Sequence, residues 1–298
     1  MMPAGILLVD KSGGMTSHDV VSRARKALGT RKIGHAGTLD PMATGLLVLG
    51  VDAATRLLTF IVGLDKTYEA TIRLGMNTDT DDAEGDETAR ASQSALAGIT
   101  AAQINEGIAT LTGAISQVPS TVSAIKVNGR RAYDLARAGE EVVLKSRSVT
   151  VSRFDVVEER RASGFIDLDV IVDCSSGTYI RALARDLGAY LGVGGHLTAL
   201  RRTRIGAFEV ADATASDRLG EASLLTPAEV AAIVLGRIDV TEDEARDLRH
   251  GKRLKDAASR LTRTPTAAID PAGTLVGVVE KRGADVKSAM NMPKEMPA

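Results

Sequence analysis

The sequence predicts an α+β fold built on a mixed, largely antiparallel sheet with helices packed on it. Three observations carry this. Stretches with strand character outnumber helical ones and often follow one another directly, as 148–157 and 165–174 do. Period-two alternation is clear in two places. Tyr68, Ala70, Ile72 and Leu74 interleave with Thr67, Glu69, Thr71 and Arg73, and Ile166, Leu168, Val170 and Val172 with Asp167, Asp169 and Asp173. Finally, 298 residues with 44% hydrophobic and 25% charged side chains suffice to bury a sizeable core without disulfide or metal.

Ile6 to Val9 is a short apolar strand, Gly13-Gly14 a turn, and Thr16 or Ser17 the cap of a helix. That helix carries Val20, Val21, Ala24, Ala27 and Leu28 on one face and ends at Gly29. A glycine-rich loop spans 31–41. Gly45 to Val51 reads as a buried strand and Ala53 to Val62 as a helix. The acidic stretch Asp79, Asp81, Asp82, Glu84, Asp86 and Glu87 reads as a solvated loop. Ala101 to Leu111 reads as helix, Val122 to Val127 as strand, Asn128-Gly129 as a turn pair and Arg131 to Arg137 as a short helix. Thr178 is expected to cap a helix running through Leu191. Composition loosens around Gly220 to Thr226. From Ile238 a helix and two strand-like runs, 266–269 and 274–280, suggest a small second domain. The expected division is 1–230 and 231–298, with a frayed tail from Met290.

Composition also limits function. Cys174 is the single cysteine, so no internal disulfide can form, and a reducing cytoplasm is the expected location. No apolar run approaches the roughly 18 residues of a membrane span. The apolar run 5–9 before Asp10 and Lys11 is too short for a secretory signal. With 37 basic and 38 acidic residues the net charge is −1, which excludes a chain-wide polycation but not a basic face. Arg201, Arg202 and Arg204 crowd together with no acid between them.

Several familiar motifs fail. The segment 29–34 has P-loop spacing, but His35 and Ala36 stand where lysine and a hydroxyl are required. A calcium loop at 79–85 lacks its third ligand at Ala83 and its glycine at Glu84. His18, His35, His196 and His250 show no metal-ligand spacing, so neither metal nor cofactor is expected.

Three segments carry chemistry. In Gly37-Thr38-Leu39-Asp40-Pro41-Met42-Ala43-Thr44-Gly45 an aspartate is fixed between glycines and ahead of proline, which biases Asp40 away from helical dihedrals. By spacing alone this is also an Asx-Pro turn whose carboxylate bonds local amides, the commoner use of such a sequence. The run 123–133 places Lys126, Arg130, Arg131 and an aromatic around one turn. Gly177-Thr178-Tyr179-Ile180-Arg181 opens a helix with a cation in its first turn, where the dipole disfavours one, so Arg181 is expected to have a specific anionic partner.

Taken together and in this order, these segments resemble the TruB family of tRNA pseudouridine synthases over most of residues 5–206. The resemblance includes Asp10-Lys11-x-x-Gly14-x-Thr16-Ser17, Gly34-His35-x-Gly37-Thr38-Leu39-Asp40-Pro41, Lys66-x-Tyr68 ahead of Asn77-Thr78-Asp79-Thr80, and His196-Leu197-x-x-Leu200-Arg201-Arg202. One departure lies at Ser120 and Val122, where the family usually has a second proline and an aromatic. The C-terminal region resembles the family's PUA-like RNA-binding extension more weakly, best at Val240-Thr241 through Gly251.

The resemblance implies the pseudouridine synthase fold and isomerisation of a uridine at position fifty-five in the TΨC loop of tRNA. It implies Asp40 as the catalytic carboxylate, no cofactor, no guide RNA and no membrane partner, and the protein is expected to act as a monomer. It implies that Arg181 pairs with Asp40 and that Tyr68 stacks on the target base. Leu200 would form an apolar wall, Tyr179 line the pocket, and His35 fill the space that the flipped nucleotide leaves. Lys126, Arg130, Arg131, Arg201, Arg202 and Arg204 are the candidates for contact with the RNA backbone. The alternative is a non-catalytic RNA-binding or tRNA-folding module, and a third reading is a guide-dependent synthase of the same superfamily.

Overall fold

The computed structural model describes residues 4–121, 126–127, 130–131 and 144–293. In chain order the elements are β1 (Gly5–Lys11), α1 (Ser17–Leu28), β2 (Ile33–Ala36), β3 (Thr44–Val51), α2 (Leu58–Ile61), β4 (Lys66–Leu74), β5 (Met76–Thr78), β6 (Glu87–Arg90), α3 (Gln93–Ala97), α4 (Ala101–Thr110) and β7 (Gly113–Gln117). There follow the short β8 (Lys126–Val127) and β9 (Arg130–Arg131), then β10 (Arg147–Ala162), β11 (Phe165–Cys174), α5 (Ile180–Tyr190) and β12 (Gly195–Ile205). The chain closes with β13 (Phe208–Glu209), β14 (Thr214–Ala215), α6 (Pro227–Leu235), β15 (Arg237–Asp239), α7 (Glu242–Arg249), β16 (Thr266–Ile269), β17 (Leu275–Arg282) and β18 (Asp285–Asn291). The mixed, mostly antiparallel architecture expected from the alternating stretches is the one observed. The expected Asn128-Gly129 turn and most of the helix at 131–137 lie outside the described residues.

The chain gathers into two units. One comprises Met1–Pro41, Gly45–Gly63 and Gly206–Ala298, the other Met42–Thr44 and Leu64–Ile205. In the first, β1 runs antiparallel to β3 from Gly5 opposite Val51 to Lys11 opposite Gly45, β2 flanks β3, and β14 lies parallel to β1. Both faces of β1 and β3 are covered, so their sequences are continuous apolar runs without alternation. Helix α1 starts at Thr16, whose hydroxyl accepts from Asp19 N while the Asp19 carboxylate accepts from the Thr16 backbone, a reciprocal capping box. Its Val20, Val21, Ala24 and Leu28 pack on Leu7, Val9, Leu47, Leu49 and Val51. The segment 53–62, expected as one helix, falls on a 3-10 turn at Asp52–Leu57 followed by α2. A smaller sheet, β15-β16-β17-β18, closes with α7 over a separate apolar cluster that includes Leu248, Val276 and Val286. The strand β18 runs to Asn291 and Met292 is buried, so the start of the expected frayed tail is ordered.

In the second unit β12, β4, β11, β10 and β7 lie side by side, all antiparallel. The even-numbered residues of β4 from Tyr68 to Leu74 and of β11 from Ile166 to Cys174 point to the covered face, as the alternation predicts. Helix α5 buries Ile180, Leu183, Ala184 and Leu187. Its N-cap is Tyr179, not Thr178 as the sequence suggested. The Gln117 side chain takes both backbone groups of Tyr179, accepting from its N–H at 2.8 Å and donating to its carbonyl at 3.0 Å, while Thr178 donates to Ser175 O.

Lys66 opens β4 on the covered face at 5% exposure, its ammonium donating to Leu64 O. Burial, helped by the charge of Arg202, holds its pKa down at about 8. An unfolded chain keeps the proton up to the ordinary lysine range near 10.5, so between these values the unfolded state binds more protons. Stability from this site therefore rises with pH across that window. In urea titrations the unfolding free energy of the wild type, relative to Lys66→Met, should climb from pH 8 to pH 10.5; a flat or falling difference would contradict this.

Candidate functional site

In the first unit the candidate carboxylate sits in a loop fixed on both sides. Lys11, at the end of β1, is fully buried, and its ammonium donates to three carbonyls: Met15 O at 2.7 Å, Ser12 O at 3.1 Å and Pro41 O at 3.2 Å. Gly14 N also donates to Pro41 O, at 2.9 Å. One residue before Asp40, Leu39 N donates to Ser17 Oγ at 2.9 Å while that hydroxyl donates to Leu39 O. Asp40, half-buried, thus lies between two residues whose backbones are tied to the turn after β1 and to the start of α1. The loop leaves β2 at Gly37 with φ of 88°, and Gly45, the second residue of β3, has φ of 98°, conformations that favour glycine. His35, on β2, meets His18 of α1 edge-to-face with ring centroids 6.2 Å apart.

In the second unit Arg181 is 4% exposed, so a solvated role is excluded. Its guanidinium donates to Thr80 O at 2.8 Å and lies 3.2 Å from the Asp82 carboxylate, itself buried. Asp82 also accepts from Thr80 Oγ1 at 2.6 Å and from Glu84 N at 3.0 Å. One turn along α5, Arg185 contacts Asp81 at 3.2 Å and donates to Val118 O at 2.8 Å. Burial pushes the Asp81 carboxyl up, against the pull of Ser120 and Arg185. Asp81 takes a left-handed φ of 60°, and its carbonyl accepts from Leu197 N. The acidic stretch expected to be solvated is therefore, at its centre, a buried clamp on α5. Charge alone could not separate the two readings; the spacing of Arg181 and Arg185, one helical turn apart, is the signal that could have.

Tyr68 is 7% exposed and stands between Val172 of β11 and Arg202 of β12; Leu200 of β12, also buried, lies across from Ala70 of β4. Tyr179 is half-buried with the Arg147 guanidinium over its ring at 5.3 Å. Arg202 departs from the expectation of an outward-facing cation: it is 1% exposed. Arg204 is half-buried, donating to Thr67 Oγ1 at 2.8 Å and lying 3.4 Å from Asp173. Arg201 is half-buried, donating to Thr44 Oγ1 at 3.5 Å. Lys126 and Arg130–Arg131 form a two-strand ladder, Lys126 opposite Arg131. Burial pushes the Cys174 thiol up to about 11, the behaviour of a core cysteine and not of a nucleophile. Among the described residues, no group of three or more His, Cys, Asp or Glu could hold a metal ion.

Family models decide the membership. The N-terminal domain of the TruB family pseudouridylate synthases matches residues 25–180, spanning the Asp40 loop, Tyr68, the Asp82 clamp and Tyr179. The chain belongs to the TruB family. A tRNA pseudouridylate synthase B C-terminal domain matches 181–238, and a C-terminal domain of tRNA pseudouridine synthase II matches 235–293. Relatives named tRNA pseudouridine synthase B match nearly end to end. The Leifsonia xyli protein is 58% identical over 99% of this chain and 98% of its own, and that of Rhodococcus jostii 53% identical over 97% and 94%. Among solved structures, an H/ACA RNP bound to a substrate RNA containing 2'-deoxyuridine aligns with a TM-score of 0.70 at 22% identity. It covers 98% of this chain and 85% of that one, a likeness of fold.

Removing one partner of a buried ion pair costs about 3–5 kcal/mol, because the other charge stays buried. Asp82→Asn should lower the unfolding free energy by about 3 kcal/mol, and Asp82→Ala by about 1–2 kcal/mol more as the bonds from Thr80 and Glu84 disappear. The exposed Glu84→Gln should stay within about 0.5 kcal/mol of wild type. Chemical denaturation checks the series; equal effects at positions 82 and 84 would show that the clamp does not hold the loop.

Proposed function

We propose that this chain is a stand-alone isomerase that converts the uridine at position fifty-five in the TΨC loop of tRNA to pseudouridine, with Asp40 as its catalytic carboxylate and without cofactor or guide RNA. The observation that carries the reading is the fixed loop: Asp40 stands between two backbone-tied residues, so the backbone that carries its carboxylate is set before any ligand arrives. The relatives named tRNA pseudouridine synthase B support the substrate class.

The reaction breaks the glycosidic bond, turns the uracil and forms a carbon–carbon bond, with no net redox change. A carboxylate can serve by attacking the sugar, attacking the base ring or abstracting a sugar proton, and all three need it ionised and aimed. Arg181 is the group assigned to that task, its planar fork holding Asp40 as the counter-charge while Asp82 and Thr80 fix the fork from its own side. The substrate uridine is flipped from its loop to reach the carboxylate. Tyr68 stacks on it, Leu200 and Tyr179 line the pocket, and His35 takes the place that the base leaves. Lys126, Arg130, Arg131 and Arg201 remain the candidates for backbone phosphates; Arg204, already engaged by Thr67 and Asp173, is a weaker one. Residues 1–230 are assigned to catalysis and 231–298 to RNA binding, in a monomeric cytoplasmic enzyme whose partner is the TΨC stem-loop.

Asp40→Asn keeps the shape and removes the charge. Its single-turnover rate on an unmodified tRNA transcript should fall by about 10³ or more, while tRNA affinity changes little because binding rests on phosphates and shape. Near wild-type turnover by this variant would overturn the assignment.

A further inference from the structure

We infer that the exposed flank of α1 and the turn that follows it bind the phosphate backbone of the tRNA substrate, a surface additional to the candidates on β8, β9 and β12. The inference rests on the tRNA reading above. Between Ser17 and Ile33 the chain carries Arg23, Arg25, Lys26, Arg31 and Lys32 against a single acid, Asp19, in a protein whose net charge is −1. All five cations are exposed. Among the described residues none of them is in an ion pair, and the one hydrogen bond from their charged groups runs from Arg25 to Ile33 O at 3.2 Å. Asp19 makes no ion pair with any of them. Its carboxylate is taken by the Thr16 N–H at 2.8 Å and hydroxyl at 2.7 Å, although Arg23 is near enough to help lower its pKa.

The bland explanation covers only part of the cluster. Cations in the last turn of a helix are favoured by its dipole, which accounts for Arg25 and Lys26. It does not account for Arg31 and Lys32, which lie beyond the helix and add like charge beside those two. Asp52 reaches this turn, its N–H donating to Lys32 O at 2.8 Å and its carboxylate accepting from Thr30 Oγ1 at 3.5 Å, but it makes no ion pair with any of the five. Five cations against Asp19 and Asp52 leave the stretch positive, and an anionic partner relieves the repulsion.

Position selects RNA as that partner. His18, in the first turn of α1, lies against His35, and its neighbour Ser17 ties down Leu39 beside Asp40. Lys26 lies eight residues further along the same helix, about 12 Å at 1.5 Å per residue. A backbone entering at the Asp40 loop is thus met by a row of cations leading away from it.

The triple variant Lys26→Gln/Arg31→Gln/Lys32→Gln tests this, with binding measured on unmodified tRNA over a range of salt. The slope of log affinity against log salt should shrink by about 0.7–0.9 for each phosphate that is no longer neutralised, so by about 2–3 in all if each side chain touches one. Affinity near 0.1 M salt should fall at least about tenfold, with the single-turnover rate at saturating tRNA unchanged. A second measurement needs no variant: bound tRNA should protect Lys26 and Lys32 of the wild-type protein from acetylation. An unchanged slope, or unprotected lysines, would overturn the inference while leaving the proposed function standing. A wild type that makes no pseudouridine would instead overturn the function, whatever the slopes show.

Discussion

One buried ammonium organises the loop that carries the proposed catalytic carboxylate. Removing a lysine charge from water costs several kcal/mol, and at zero exposure the Lys11 ammonium is offset in part by the carbonyls of Ser12, Met15 and Pro41, to which it donates. Two of those carbonyls, from Ser12 and Met15, belong to the turn that leads into α1. The third, from Pro41, belongs to a loop thirty residues away. The ends of that loop are set by sheet pairing, Ala36 opposite Val48 and Gly45 opposite Lys11 itself. Asp40 is therefore held by the strand ladder, by Ser17 and by Lys11 at once. Hydrogen-bonded groups fixed in this way do not need to be ordered when substrate binds, which is where preorganised sites gain rate.

The second unit shows the same economy with opposite charges. Asp81 and Asp82, adjacent in a tight loop, meet Arg181 and Arg185, one turn apart on α5. Each arginine also bonds a backbone carbonyl, from Thr80 and Val118 respectively. A helix beginning with a cation is poorly served by its own dipole; the buried acid supplies what the dipole does not. The left-handed backbone at Asp81 and the bond from Leu197 to its carbonyl fix the loop that presents Asp82.

Much of this was legible in the sequence, and the failures have physical causes. The alternation in β4 and β11 is regular because one face is covered and the other wet. In β12 the same rule is hidden: register shifts at Leu197/Ala199 and Arg202/Arg204 each insert a residue and reverse the phase, so period two fails over the whole strand. The same shifts obscure arginines. Arg201, Arg202 and Arg204 look alike in sequence, yet Arg202 is buried opposite Tyr68 while its neighbours are half-exposed. The expectation that Arg181 must have an anionic partner followed from helix electrostatics, and Asp82 meets it. That Asp82 was that acid could not be read, since six acids crowd 79–87 and burial, not charge, selects among them. The Asp40 loop was visible through its glycines and proline, but the role of Lys11 was not, because a lysine after a short strand ordinarily faces water.

The central claim is that this chain alone, with no guide RNA and no cofactor, performs the isomerisation at one uridine. The most direct measurement incubates the purified protein with an unmodified tRNA transcript in EDTA-treated buffer, the tRNA folded beforehand, and maps pseudouridine by mass spectrometry of nuclease fragments. Stoichiometric product at the single TΨC-loop position is expected. Tight binding without product, or product that forms only when a guide RNA is added, would contradict it.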